Sequence, residues 1–202
     1  MTGATDPDAA LMLRVKAGDR AAYAELVEKY KQPVMSVVYQ MIRDPDEAED
    51  LAQNVFYQVY RSAHRYETRA KFSTWLFTIA RNLTLNEIRR RKRHPAESLD
   101  AAPRGVERED ASPRQVADAQ TFAPPDLVLQ QELQEKVEEA VAALPENQRT
   151  ALGLCRQGDV SYEEISEVLG CSLSATKSLI HRARETLKAR LKPYLRTGVW
   201  KP

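Results

Sequence analysis

Apolar residues recur at three- and four-residue intervals along most of the chain, the spacing of helices that bury one face. Leu11, Leu13 and Val15 open the pattern, and Ala22, Tyr23, Leu26, Val27 and Tyr30 continue it beyond a break at Gly18-Asp19. Pro33 suits the first turn of a new helix, whose stripe is Val34, Val37, Val38, Met41 and Ile42. Asp44-Pro45-Asp46 reads as a turn and N-cap for a helix carrying Ala48, Leu51, Ala52, Val55, Phe56 and Val59. From about Ser73 to Arg90 the residues Trp75, Leu76, Ile79, Ala80, Leu83 and Ile88 point inward. A later series holds Leu129, Leu133, Val137, Ala140, Val141 and Leu144, with Pro145 at N1 of the next helix. No run alternates with period two for long enough to predict a strand.

Between these two helical stretches the pattern stops. Residues 94–126 hold five of the chain's 11 prolines and almost no periodic apolar positions. Such a segment cannot bury enough surface to offset its ordering entropy, which predicts a flexible tether. The expected architecture is all-α: two small helical domains, residues 8–93 and 127–192, joined by a flexible Pro-rich linker. A length of 202 residues with 43% hydrophobic composition suits it and excludes wholesale disorder. Charges interrupt every apolar run, so no membrane insertion is expected, and no basic segment precedes the first apolar patch as in a signal peptide. Two cysteines cannot build a disulfide framework and suit a reducing compartment. A cytoplasmic protein is expected.

The formal net charge of +1 conceals a segregation. Ten Lys/Arg stand against two Glu between Arg61 and Arg93, and seven against one between Cys171 and Arg196. Solvated helix faces would account for either block alone. Two separate basic blocks in a near-neutral chain point to two contacts with a polyanion.

The second block lies in a recognisable frame. Ser161-Tyr162-Glu163-Glu164 has the spacing of a capping box, Ile165, Val168 and Leu169 form an inner face, and Gly170 supplies a left-handed cap. A turn through Cys171 leads to a longer helix with Thr176, Ile180, Ala183, Leu187 and Leu191 in one sector. Ser174, Ser178, His181, Arg182 and Glu185 fall on the far side, flanked by Lys177 and Arg184. A short capped helix, a glycine turn and a longer basic helix make a helix-turn-helix, whose second helix fits a major groove. Hydroxyl and guanidinium groups then read base edges while flanking cations hold phosphates.

The first block interleaves aromatic and basic residues from Tyr66 through Arg69, Lys71, Phe72, Trp75 and Phe77 to Asn82, followed by Arg89 to Arg93. Cations that track a backbone beside a stacking face suit single-stranded nucleic acid. Trp75, Phe77 and Ile79 fit a core equally well, and for Trp75 core is the stronger reading.

Taken together, the chain resembles the extracytoplasmic-function (ECF) class of bacterial RNA polymerase sigma factors. The resemblance is carried by Ala17-Gly18-Asp19 with Ala22-Tyr23, by residues 46–53, and by Phe72-Ser73-Thr74-Trp75-Leu76 with Ile79-Ala80-Arg81-Asn82. It continues in Leu144-Pro145-Glu146, in residues 161–165, and in Lys177-Ser178 with residues 181–184. It implies a subunit that binds core RNA polymerase and directs promoter-specific initiation. By match, Asp50, Gln53 and Asn54 would lie in the polymerase-docking helix. The loop from about Tyr66 to Lys71, with Arg69, Lys71, Phe72, Trp75, Asn82, Arg89 and Arg90, would capture the melted −10 element as a single strand. Ser174, Lys177, Ser178, His181, Arg182 and Arg184 would read the −35 element in duplex DNA. The family also implies an anti-sigma factor as partner. The chain departs from the family pattern at Asn54, Ser174-Ala175 and Leu179.

Other chemistry finds little footing. Cys155, Cys171 and His181 match no zinc spacing, the acidic residues from Asp44 to Asp50 lack the glycine and oxygen spacing of a calcium loop, and no phosphate loop or nucleophile motif occurs. No enzyme, cofactor, metal or small-molecule substrate is expected. Two rivals remain: an autonomous helix-turn-helix regulator, which needs no basic aromatic loop, and a sigma-like decoy for an anti-sigma factor, which needs no cationic reading helix.

Overall fold

The computed structural model describes residues 6–93, 125–158 and 160–198. These form eight α-helices and one 3-10 turn, with no strand among the described residues. The expected tether lies outside them except for Pro125 and Asp126, which begin a helix.

Helix α1 (Pro7–Lys16) starts where Asp6 accepts from the Asp8 amide, with Pro7 in its first turn. It stops before Gly18, whose φ of +94° needs a residue without a side chain. Helix α2 (Arg20–Ile42) is capped by Asp19, which accepts from Ala21 and Ala22. The helix expected to begin at Pro33 does not exist separately, because Pro33 lies inside α2. An internal proline costs about 3 kcal/mol through its missing N–H and ring clash. Here Tyr30 on one side and Val34, Val37 and Val38 on the other are all buried, and this packing outweighs the local break.

Helix α3 (Pro45–Ser62) is capped by Asp44 as the sequence predicts. A 3-10 turn (Ala63–Arg65) and a loop over residues 66–71 lead to α4 (Phe72–Arg93). The C-terminal group is α5 (Pro125–Ala142), α6 (Glu146–Cys155), α7 (Tyr162–Leu169) and α8 (Leu173–Thr197). Pro145 is the N-cap of α6 rather than its first helical residue.

The two groups pack on each other, α2 against α6 and α4 against α7. One hydrophobic cluster runs from Met12, Leu26, Val38 and Phe77 into Leu154, Ile165 and Ile180. Gly153 permits the close approach of α6: a Cβ there would stand 2.4 Å from Gln40 Oε1. Polar ties cross the junction as well. The Arg43 guanidinium donates to the Glu138 carbonyl, Arg149 donates to the Met41 carbonyl (3.4 Å) and, within the C-terminal group, to that of Ala142 (2.8 Å), and Lys71 pairs with Glu164 at 2.6 Å. Burial, with Arg43 nearby, holds the Arg149 guanidinium below its ordinary value.

Candidate nucleic-acid interfaces

The helix-turn-helix is built from local hydrogen bonds. Ser161 Oγ accepts from the Glu164 amide (3.2 Å) and the Glu164 carboxylate accepts from the Ser161 amide (2.8 Å), a complete capping box. Gly170 ends α7 at φ +65°, and Ser172 caps α8 by accepting from the Ala175 amide (3.2 Å). Ile165, Val168 and Leu169 of α7 and Thr176, Ile180 and Ala183 of α8 are buried, which fixes the rotation of α8.

That rotation exposes Ser174, Lys177, Ser178, His181, Arg182 and Arg184. Leu173, Ser174, Lys177, Ser178 and His181 line one shallow concavity. Among the described residues, Lys177, His181 and Arg182 have no acidic partner. Ser178 spends its hydroxyl proton on the Ser174 carbonyl (2.9 Å) and keeps its lone pairs for an outside donor. Arg184 diverges from this set, since its guanidinium reaches the Cys155 sulfur at 3.4 Å. Beyond this exposed face α8 continues through Pro193, and Tyr194 is buried against α5, its hydroxyl bonded to Glu132. The C-terminal stretch as far as Gly198 therefore belongs to the second helical group.

The N-terminal set is arranged differently. Arg69 and Lys71 are exposed on the loop, Asn82 and Arg89 are exposed along α4, and Trp75 is half-buried. Phe72 is fully buried, packed edge-on against Tyr30 and Tyr66, so it supports the loop from beneath and cannot present its ring to a nucleic acid in this conformation. Three of the cations are already engaged: Arg69 with Glu67, Lys71 with Glu164 and Arg90 with Glu87. Within the following run, Arg91 pairs with Glu47 and Glu87 and ties α4 to α3. Tyr66 is buried at 1% exposure with its hydroxyl unpartnered; burial, with Asp6 and Asp8 nearby, pushes its pKa up to about 12.

Asp50, Gln53 and Asn54 share the exposed face of α3. Sequence reasoning missed its continuation through Tyr57, 60% exposed with the Arg61 guanidinium 5.7 Å from its ring centre, and Tyr60, 47% exposed against Tyr23. The three- and four-residue spacing from Asp50 could have found both. It also missed Asp6, Lys16 and Glu164 as partners of the loop, because their contacts span 50 or more residues of chain.

Residues 26–94 match the family description Sigma-70 region 2, and residues 134–187 match Sigma-70, region 4. The chain is 36% identical over 179 residues to the ECF RNA polymerase sigma factor SigW of Bacillus subtilis, covering 89% of this chain and 94% of the relative. It is 33% identical over 195 residues to the RNA polymerase sigma-H factor of Pseudomonas aeruginosa, covering 95% and 97%. Among solved structures, the sigma factor RpoE of Bartonella quintana, in complex with the anti-sigma factor NepR, superposes with a TM-score of 0.61 at 25% identity, covering 84% of this chain and 96% of that one. CnrH in complex with the cytosolic domain of CnrY gives a TM-score of 0.65 at 20% identity over 93% and 99%, a likeness of fold. The chain belongs to the ECF RNA polymerase sigma factors.

Proposed function

We propose that this sigma factor divides promoter recognition between residues 8–93 and residues 127–192. The first unit docks on core RNA polymerase through the α3 face bearing Asp50, Gln53 and Asn54. Its loop and α4, through Arg69, Lys71, Asn82, Arg89 and Arg90 with Trp75 beside them, hold the opened −10 strand. The second unit reads the −35 duplex through Lys177, Ser178, His181 and Arg182, with Ser174 and Arg184 at the edges. One observation carries this reading: Lys177, His181 and Arg182 stand exposed, with no carboxylate paired to them among the described residues, on one face of a helix whose other face is locked in a core, while the neighbouring Glu185 pairs with Lys188.

Extruding a base costs a few kcal/mol, which a small protein offsets only when its partner holds the DNA. The isolated chain should therefore bind promoter duplex poorly. The protein works in the cytoplasm with the polymerase and performs no covalent chemistry of its own. The Bartonella quintana relative bound to NepR supports an anti-sigma protein as a third partner.

The test is size-exclusion co-elution with core polymerase at moderate salt, followed by promoter selection with the assembled complex. Stoichiometric co-elution and recovery of a bipartite promoter are expected. Tight, sequence-selective duplex binding by the folded chain alone, without co-elution, would favour an autonomous regulator.

A further inference from the structure

Helix α1 lies outside the residues matched to region 2, yet it grips the loop over residues 66–71 at both ends. At the front of the loop, Lys16 Nζ donates to the Tyr66 carbonyl at 2.9 Å. At the back, the Phe72 amide donates to Asp6 Oδ2 at 2.8 Å, while Asp6 Oδ1 accepts from the Asp8 amide at 3.0 Å. One carboxylate thus caps both α1 and α4. Asp6 and Lys16 stand at opposite ends of a 10-residue helix, so their anchor points are about 15 Å apart along its axis.

The anchor is itself fixed to the core. Asp8, 7% exposed, accepts from Lys29 Nζ (2.7 Å) and from the Tyr30 hydroxyl (2.6 Å), which ties α1 to α2. Beneath the loop, Tyr66, Phe72 and Trp75 form an aromatic cluster, with Tyr66 and Trp75 centroids 5.1 Å apart. Between the two anchored ends, residues 67–70 are exposed. A loop held at both ends over a packed floor keeps its tip in a narrow range of shapes, which selectivity for one base requires.

We propose that Asp6 and Lys16 are positioning residues for base capture: together they string the loop over residues 66–71 along α1 and set the shape in which it accepts an unstacked base. This rests on the assignment of that loop to the −10 strand.

The experiment uses the full chain assembled with core polymerase, a pre-melted promoter template, and a matched or substituted base at each non-template position of the −10 element. Lys16→Met keeps the aliphatic stem but removes the donor. Asp6→Asn retains a side-chain acceptor for the cap of α1 while weakening the charged bond to Phe72. Lys16→Arg restores a donor. Wild-type complex should discriminate matched from substituted bases. Lys16→Met and Asp6→Asn should lower that ratio about tenfold, with polymerase co-elution and thermal midpoint retained, and Lys16→Arg should recover most of it. A ratio unchanged in both variants overturns the positioning role even though the wild type discriminates. A ratio that falls only in step with a lowered thermal midpoint, without recovery in Lys16→Arg, also overturns it. If the wild type shows no discrimination at any −10 position, the loop assignment fails and the inference falls with it.

Discussion

On α8, Lys177, His181 and Arg182 face outward without a carboxylate partner among the described residues, whereas on the loop and α4 Arg69, Lys71 and Arg90 are already paired with Glu67, Glu164 and Glu87. The first surface meets a polyanion as it stands. The second must exchange an intramolecular carboxylate for a phosphate at each of those three positions. The Arg69–Glu67 pair, exposed on both sides, is worth about 0–1 kcal/mol, whereas Lys71 and Arg90 are exposed cations on largely buried carboxylates and their exchange costs more. On the proposed division of promoter recognition, the α8 face would supply affinity and the paired face would engage late, once polymerase has concentrated the strand against it.

The sharpest way to break this comparison is to strip the free face. Lys177→Ala with Arg182→Ala should reduce −35-dependent transcription by about a hundredfold, at roughly 1–3 kcal/mol for each base-edge contact. Co-elution with polymerase should be unchanged. Equal loss of both would make these residues supports of the fold.

A second test addresses the floor of the paired face, which has an ionisable group in its core. Tyr66 is neutral when folded up to about pH 12, against an ordinary value of 10.0 for a tyrosine. Between those values the unfolded chain loses a proton that the folded chain keeps, so stability falls as pH rises through this window and is unaffected below it. At pH 11, midway between the two values, the loss is about 1 kcal/mol. Tyr66→Phe removes an unpartnered hydroxyl, so it should cost little at pH 7 and remove the Tyr66 share of the alkaline loss, leaving that of Tyr23 and Tyr194. Denaturant unfolding at pH 7 and pH 11 checks both statements, and an unchanged pH 11 loss in Tyr66→Phe would contradict them.

The smallest effect is expected from Glu164→Gln. Glutamine keeps the acceptor for the Ser161 amide and so preserves the capping box, while the charge facing Lys71 disappears. Affinity of the assembled complex for a −10 single strand should rise by about two- to fivefold, read by fluorescence anisotropy. No gain would mean that the Lys71–Glu164 pair does not compete with the strand.

The same contrast explains what the sequence made legible. The helix-turn-helix is held by Ser161, Glu164, Gly170 and Ser172, neighbours in the chain whose spacing announces their bonds, and its exposed face followed from one buried stripe. The loop is held by Asp6 and Lys16, 66 and 50 residues away from their partners, and no local pattern signals such pairing. Phe72 looked like a ligand face because basic residues flank it, but it is in register with Leu76 and Ala80 on the buried side of α4. Pro33 looks like a boundary in the sequence because propensity is local, while the packing that carries α2 through it is not.

The approach of α6 to α2 at Gly153 has a consequence for how this protein tolerates change. Its side-chain position is filled by the amide of Gln40, so the constraint comes from a neighbour's volume. Alanine is accommodated by swinging that amide aside, whereas each larger residue must lever the two helices farther apart. Position 153 thus acts as a wedge point: the size of one side chain sets the gap between the halves of the molecule, and substitutions there form a graded series from shut to ajar.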